Sequence, residues 1–267
     1  MKLKNIHLYN YVILFTVNCE VKINNSHDKL HIPHNTIVIL EKNIFFDIEI
    51  VKTGPGRPYE IYDLDNDSLS ILRDILEPIV IVPPEAYTQK RTLKDKVFKI
   101  KTCDIAVEFF HRLKGGGCDN FSRRCKLSYL VSKCENIFKL AVSLNGSVTI
   151  RFSEKITQLL FSDLAKKWKI SDIADELNIS EISVRKKLEQ ESISFNQLLL
   201  DVRMNKAVKY ILQGDHQIGM IASLTGYTST SYFIKTFKDY YGITPKQFHV
   251  EIKTNHCWNK TKNHLIR

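Results

Sequence analysis

One pattern is written twice between Trp168 and Phe248, and it limits this part of the chain to a small set of folds. Ile170-x-x-Ile173-Ala174-x-x-x-Asn178-Ile179-Ser180 recurs 48 residues on as Ile218-x-x-Ile221-Ala222-x-x-x-Gly226-Tyr227-Thr228. Each copy predicts a short amphipathic helix, then a residue able to adopt positive φ (Asn178, Gly226), then a hydroxyl residue (Ser180, Thr228) capping a second helix. The two alanines sit where helices must approach closely, and the residue four places on turns the chain without a Cβ clash. That is the syntax of a helix-turn-helix.

In the second helix of each copy, Val184 and Leu188 match Phe233 and Phe237, now at an offset of 49 because the second turn holds one extra residue. Apolar pairs at i, i+4 face a core. The opposite face then presents Glu181, Ile182, Arg185 and Lys186 in one copy and Thr230, Ser231, Ile234 and Lys235 in the other, with the two lysines at equivalent positions and first in line to reach DNA. Between the copies, Phe195, Leu198, Leu199, Val202, Ala207 and Ile211 recur at helical spacing. They predict one helix from Phe195 to Leu212, about 18 residues and roughly 27 Å long. Such a rod holds two reading heads about one turn of B-DNA apart, roughly 34 Å, so one chain can enter two successive major grooves of double-stranded DNA. A helical bundle with no nucleic-acid role fits a single copy of the pattern equally well; the duplication favours the reader.

The run Gly219 to Phe248, GMIASLTGYTSTSYFIKTFKDYYGITPKQF, resembles the signature of the AraC/XylS family of transcription regulators, down to the closing Gly242-Ile-Thr-Pro245-x-x-Phe248. The resemblance covers the last hundred residues. Within the family, the N-terminal half and its Lys/Ile/Asn-rich composition resemble the enteric virulence activators of the Rns, ToxT and RegA type. The resemblance implies two base-reading helices in adjacent grooves, with base contacts falling on Ile182, Arg185 and Lys186 and on Thr230, Ser231 and Lys235. Relatives often carry arginine where Lys186 and Lys235 stand, and lysine gives up the bidentate guanine fork. It further implies an activator that works with RNA polymerase, a cupin-like N-terminal barrel that holds an effector, and homodimerisation through N-terminal helices.

With 267 residues and 43% hydrophobic content, the chain is long enough for two domains that each bury a core. Its net charge of +10 suggests a polyanionic partner. The distribution is uneven: eight Lys/Arg against twelve Asp/Glu over residues 1–88, thirteen against five over 89–140, none over 141–150 and fifteen against twelve over 151–253. The DNA-binding half is thus only mildly basic, so affinity must come from placed contacts. Cys19, Cys103, Cys118, Cys125, Cys134 and Cys257 form no C-x-x-C pair and no zinc-type spacing with the nine histidines, which points to reduced thiols in a cytoplasmic protein. The apolar run Tyr11 to Val17 is too short to span a bilayer and too poorly flanked for a signal peptide, so no membrane association is expected.

Short β-branched or aromatic runs at 11–17, 19–23, 36–40, 45–51 and 59–64, punctuated by turn residues, predict an antiparallel sheet or small barrel. The expected fold is α+β. An N-terminal domain of residues 1–148 holds a β-barrel over about 1–88 and helices over about 89–144, and serves effector binding and dimerisation. An all-α DNA-binding domain follows at 149–253, opened by a helix from Ser153 to Leu164, and a basic tail at 254–267 reads as disordered. Asn145-Gly146-Ser147 is the expected joint. Cys103 to Leu113 reads as a helix. Leu127, Leu130, Val131, Cys134, Ile137, Phe138 and Ala141 read as a stripe on one further helix, from about Asp119 to Ser143, which packs on the barrel or forms a dimer seam.

A cupin enzyme would need metal ligands such as His27, His31, His34 and Glu41, but His31-x-x-His34 straddles Pro33 in a turn, where one strand face cannot hold both. No metal and no cofactor are expected. The basic surplus at 89–140 is a solvated face, or it lines an inter-domain cleft in which Arg57 and His216 help to hold a small anion. An anion that prefers one domain arrangement is all that effector control requires. By an ungapped match, the carboxylate-holding positions of fatty-acid-binding relatives fall on Tyr9, Asp63, Gln217 and Gly219. None is basic, so of the two effectors that the resemblance implies, fatty acids and bicarbonate, bicarbonate is favoured, and Tyr9 joins the effector candidates. The resulting expectation is a sequence-specific DNA-binding activator of virulence genes in an enteric bacterium, and not an enzyme. The alternatives are a cupin-type enzyme with an accessory helical domain, which lacks a ligand cluster and a defensible catalytic arrangement, and an architectural DNA binder without an effector.

Overall fold

In the computed structural model the chain forms two compact units, Met1–Val148 and Thr149–Val250. The structure describes residues 1–87, 89, 91–117, 119–146, 151–213 and 216–254; Cys118, Ser147, Cys257 and the expected tail from 255 onwards lie outside them.

The first unit carries eight described strands: β1 (Lys2–Leu8), β2 (Tyr11–Thr16), β3 (Cys19–Asn24), β4 (Lys29–Ile32), β5 (Thr36–Leu40), β6 (Ile44–Lys52), β7 (Glu60–Leu64) and β8 (Val97–Ile100). They form two four-stranded antiparallel sheets, ordered β1-β6-β3-β4 and β7-β2-β5-β8. The predicted closed barrel is not there. No ladder among the described residues joins the edges of one sheet to the other. At the β8 edge it is a piece of the helical region that pairs instead: Ile100 bridges Cys134, and Lys101 and Glu135 N–H groups donate to Lys133 O and Lys99 O, both at 2.9 Å.

The two sheets differ because their strands do. β2 is buried at all six positions, since its run from Val12 to Phe15 has no polar alternate to turn to water. Val12 and Leu14, with Val38 and Leu40 of β5, pack against the first sheet. Tyr11, Ile13 and Phe15, with Ile37 and Ile39, pack against helices. In β3, by contrast, Cys19, Val21 and Ile23 are buried and Lys22 is exposed, so the first sheet keeps one face in solvent. The layers are therefore sheet, sheet, helices.

Four helices make the last layer: α1 (Asn66–Leu76), α2 (Asp104–Lys114), α3 (Asn120–Ser132) and α4 (Ile137–Gly146). The single helix predicted from Asp119 to Ser143 is two, because residues 133–135 leave the helix to pair with β8. Its apolar stripe is consumed within the unit: Leu127, Leu130, Val131, Cys134 and Ala141 are core residues, while Phe138 is 45% exposed. A buried polar chain ties α4 to the sheets. The Tyr11 hydroxyl donates to Ser143 O (3.0 Å), Ser143 Oγ donates to Glu41 (2.5 Å), and Arg91 holds the same carboxylate with two N–H···O bonds of 3.1 and 2.6 Å.

The second unit is helical: α5 (Phe152–Ser162), α6 (Ile170–Glu176), α7 (Glu181–Gln190), α8 (Phe195–Gln213), α9 (Ile218–Leu224), α10 (Thr230–Tyr241) and α11 (Pro245–Thr254). α5 starts one residue before the predicted Ser153, because its first N–H groups are met from afar. The Glu191 carboxylate accepts from Phe152 N (2.6 Å) and Ser153 N (3.2 Å). Around the first motif, Ile156, Leu160, Trp168, Ile173, Val184, Leu188 and Val202 form one core. Around the second, Phe233, Phe237, Tyr241 and Phe248 stack as an aromatic cluster, with Phe237 centred 4.7 Å from Tyr241 and 5.7 Å from Phe248. Each fully buried ring contributes on the order of 2–3 kcal/mol.

Candidate nucleic-acid interface

The two motifs close with the same backbone device. After α6, Asn178 (φ 51°) takes the left-handed conformation, its N–H donates to Asp175 O (3.1 Å), and Ile179 N donates to Ala174 O (3.0 Å). After α9, Gly226 (φ 80°) does likewise: its N–H donates to Ser223 O (3.0 Å), and Tyr227 N to Ala222 O (2.9 Å). Both are Schellman turns, which satisfy helix-end carbonyls and reverse the chain in minimal length. Ala174 and Ala222 are buried at the helix crossings.

A hydroxyl then caps each second helix, as predicted, but not both on the predicted residue. Ser183 N donates to Ser180 Oγ (3.2 Å) at the start of α7, and at the start of α10 Tyr232 N donates to Ser229 Oγ (3.3 Å). The cap is Ser229, not Thr228, because the extra residue of the second turn falls before the cap, and from there on the 49-residue offset governs. α10 ends at Gly242 (φ 84°), whose N–H donates to Lys238 O at 2.7 Å.

With the caps fixed, the faces follow. Val184, Leu188, Phe233 and Phe237 are buried, as the i, i+4 pairs require. Ile182 is 77% exposed, Arg185 and Lys186 lie on the same outward side of α7, and Thr230, Ser231 and Lys235 are exposed on α10. Ile234, read as part of that outward face, is half-buried. Arg185 makes an i, i+4 ion pair with Glu181 at 3.3 Å, an exposed pair that holds it weakly and leaves it easily redirected. The structure adds Tyr232, 62% exposed on α10, which sequence reasoning passed over because its equivalent in the first motif is Ser183.

Buried polar groups anchor α10. Tyr240 OH and Gln197 Nε2 both donate to Asp201 Oδ1 at 2.7 Å, and Tyr241 OH donates to Asn205 Oδ1 at 3.3 Å. Burial raises the Asp201 carboxyl above its ordinary range, and the hydrogen bonds from Tyr240 and Gln197 oppose it. Tyr227, buried in the second turn, is pushed up to about 12 chiefly by desolvation.

The effector candidates lie on different elements. Tyr9 is half-buried between β1 and β2, its ring 4.1 Å from His7, which stacks on Phe45 at 3.9 Å. Arg57 is exposed in the loop between β6 and β7, and its carbonyl accepts from Asn18 Nδ2 (3.3 Å). His216, in the second unit, is exposed before α9 with its ring edge-on to Tyr210 at 5.4 Å. Part of the basic surplus over 89–140 is matched: Arg91, Lys114, Arg123 and Arg124 pair with Glu41, Glu60, Asp65 and Asp74 from the acidic segment before them. Sequence separation hid this cancellation. Among the weighed metal ligands, His31 pairs with Glu20 at 3.2 Å and Glu41 is committed to Arg91 and Ser143; no group of three or more His, Cys, Asp or Glu among the described residues is placed to hold a metal. No helix among the described residues is long and apolar enough to cross a membrane.

Comparison with known proteins agrees with the geometry. Residues 173–249 match the family described as helix-turn-helix domain. The chain is 56% identical over 255 residues to the HTH-type transcriptional activator FapR of Escherichia coli, covering 96% of this chain and 98% of that one. It is 35% identical over 248 residues to the virulence regulon transcriptional activator VirF of Shigella flexneri, covering 92% and 93%. In fold it matches unsaturated fatty acid bound ToxT from Vibrio cholerae, with a TM-score of 0.64 at 17% identity over 93% of this chain and 90% of that one. The chain belongs to the AraC/XylS family of helix-turn-helix transcriptional activators, in the group that contains virulence regulators, and is a DNA-binding regulator and not an enzyme.

Proposed function

We propose that this protein activates virulence genes by laying α7 and α10 into two successive major grooves of one duplex. The observation that carries this reading is the pair of matched motifs, each with a Schellman turn, a serine-capped second helix, a buried apolar pair and an exposed outward face, joined by the 19-residue α8. At roughly 1.5 Å per residue that helix is about 28 Å long, close to one turn of B-DNA. Ile182, Arg185 and Lys186 would meet bases in one groove and Thr230, Ser231 and Lys235 in the next, with Ile182 suited to a thymine methyl and the lysines to guanine acceptors. Phosphate contacts would set the register and make binding steeply salt-dependent. Recruitment of RNA polymerase in the cytoplasm, and pairing of two copies through the first unit, complete the reading. A DNase footprint on promoter DNA tests it: two protected blocks about 10 base pairs apart support it, and one block, or none, refutes it.

The same reading assigns control to a small anion, with Tyr9, Arg57 and His216 as candidate contacts and bicarbonate ahead of a fatty acid. By the ungapped sequence match, the positions that hold a fatty carboxylate in relatives fall on Tyr9 and Asp63, neither of them basic, which weighs against a fatty acid. The likeness to fatty-acid-bound ToxT bears on fold alone at its level of identity. Isothermal titration with sodium bicarbonate against sodium chloride, at matched pH and ionic strength, tests this part. Absence of bicarbonate heat at millimolar concentration would count against it, and saturable heat from an unsaturated fatty acid would reverse the preference.

A further inference from the structure

Within the second unit, one guanidinium touches the supports of both motifs. Arg203 stands midway along α8, and its Nη2 donates to Lys166 O (3.0 Å) and Leu164 O (3.4 Å), both in the loop between α5 and α6. That loop is shaped to offer these carbonyls. Asp163 Oδ1 accepts from Ala165 N (3.0 Å) and Lys166 N (3.2 Å), while Asp163 O accepts from Trp168 Nε1 (2.6 Å). On its other side Arg203 faces the turn of the second motif. Its Cζ lies 5.7 Å from the Tyr227 ring centroid, and a Cβ on Gly226 would come within 2.5 Å of both Arg203 Nη2 and Leu164 O. The first motif's loop, the linking helix and the second motif's turn therefore meet at a single side chain.

We propose that Arg203 is the positioning residue that fixes the phase between the two reading helices. This rests on the two-groove reading above. The bonds of Asp201 and Asn205 to Tyr240 and Tyr241 hold α10 to α8, but none of them reaches the first motif. Arg203 does, so it governs how the second head is turned relative to the first. The lever is long: a rotation of about 10° acting across roughly 34 Å displaces a recognition helix by about 6 Å, well beyond hydrogen-bonding reach. Arginine suits the task because its planar fork can donate to carbonyls at its edge while its face lies against an aromatic ring.

The test uses the full-length chain and duplexes selected by the wild-type protein from random DNA, with 0, 1, 2 or 5 base pairs inserted between the two half-sites. Affinity is read by fluorescence anisotropy, and thermal melting monitors folding. Two heads that act together gain on the order of 100-fold over one, so wild-type affinity should fall by about that factor with a 2-base-pair insertion. In Arg203→Met the same insertion should cost roughly tenfold or less, with affinity for each isolated half-site within about twofold of wild type. Arg203→Lys should fall between, keeping donors to the carbonyls but losing the flat stack. Tyr227→Leu, which removes the opposing ring, should relax spacing as Arg203→Met does, and it carries the test if the methionine variant does not fold. Wild-type spacing discrimination in folded Arg203→Lys and Tyr227→Leu, or a uniform fall in all affinities with the preference kept, would overturn the proposal. A wild-type protein indifferent to spacing would instead overturn the two-groove reading beneath it.

Discussion

Replacing Gly226 with alanine tests the turn on which the second motif depends. At φ 80° an L side chain is strained, at a cost of roughly 1–2 kcal/mol. The added Cβ would also lie 2.5 Å from Leu164 O and from Arg203 Nη2. The guanidinium can swing away, but the carbonyl belongs to a loop held by three bonds to Asp163, so the backbone itself must shift, and overpacking of that kind costs about 1–3 kcal/mol more. The sum is about 3 kcal/mol. Asn178→Gly is the matched control: it sits at the same place in the first turn at φ 51°, glycine relieves the left-handed cost there, and the change should stay within about 1 kcal/mol. Urea unfolding followed by Trp168 fluorescence in a Trp258→Phe background reads the second unit separately, which matters because two units need not melt together. A loss below about 1 kcal/mol in Gly226→Ala, or an equal loss in Asn178→Gly, would refute the argument.

Ser180→Ala and Ser229→Ala should each cost about 1 kcal/mol by the same measurement, whereas Thr228→Ala should stay within about 0.5 kcal/mol; the reverse order at 228 and 229 would return the cap to the threonine. The Asp95 carboxyl is drawn upward by burial but held down to about 2 by the Lys139 ammonium and by the Thr92 N–H and hydroxyl. A depressed carboxyl contributes stability that is complete above its unfolded value of 3.8 and is lost as pH falls from there toward 2. Lys139→Met should therefore raise the Asp95 carboxyl toward 3.8 in an NMR titration, and an unmoved titration would exclude the pairing. Lys235→Ala should cost roughly 1–3 kcal/mol of DNA binding, unevenly across operator variants, if it reads a base; a loss equal for all sequences would make it a phosphate contact.

Much of the second unit is legible in the amino-acid order because its determinants are local. A left-handed residue, a capping hydroxyl and an i, i+4 apolar pair lie within a dozen positions of one another, and α8 announces itself by period alone. Thr228 reads as the cap in place of Ser229 because the first helix's offset is carried past the inserted residue, and Ile234, which reads as outward, is half-buried. The first unit is harder for the opposite reason. Five strands carry their own β-branched or aromatic runs, but β1, β4 and β8 are short or mixed in character and are defined by the partners they meet. The apolar stripe over 127–141 reads as one helix because nothing near Lys133 says that β8 lacks a neighbour. Whether two sheets close into a barrel depends on their edges, which periodicity does not encode. The site shows the same division. The outward residues of α7 and α10 follow from spacing, whereas Arg203 looks like any exposed cation until the carbonyls of Leu164 and Lys166 are placed beside it.

The polar chain running from Tyr11 through Ser143 and Glu41 to Arg91 spans 132 residues of sequence. It sets an order of events at the ribosome. The early strands can collapse as they emerge, but the Glu41 charge finds its guanidinium only once Arg91 is out, and the Tyr11 hydroxyl finds its acceptor only when α4 has been made. A nascent or truncated product ending before α4 would hold an apolar face of β2 uncovered beside an unmet hydroxyl, the kind of intermediate that chaperones bind and proteases clear. Fragment libraries of this protein should accordingly yield soluble N-terminal pieces only when they extend to about residue 146, where that helix ends.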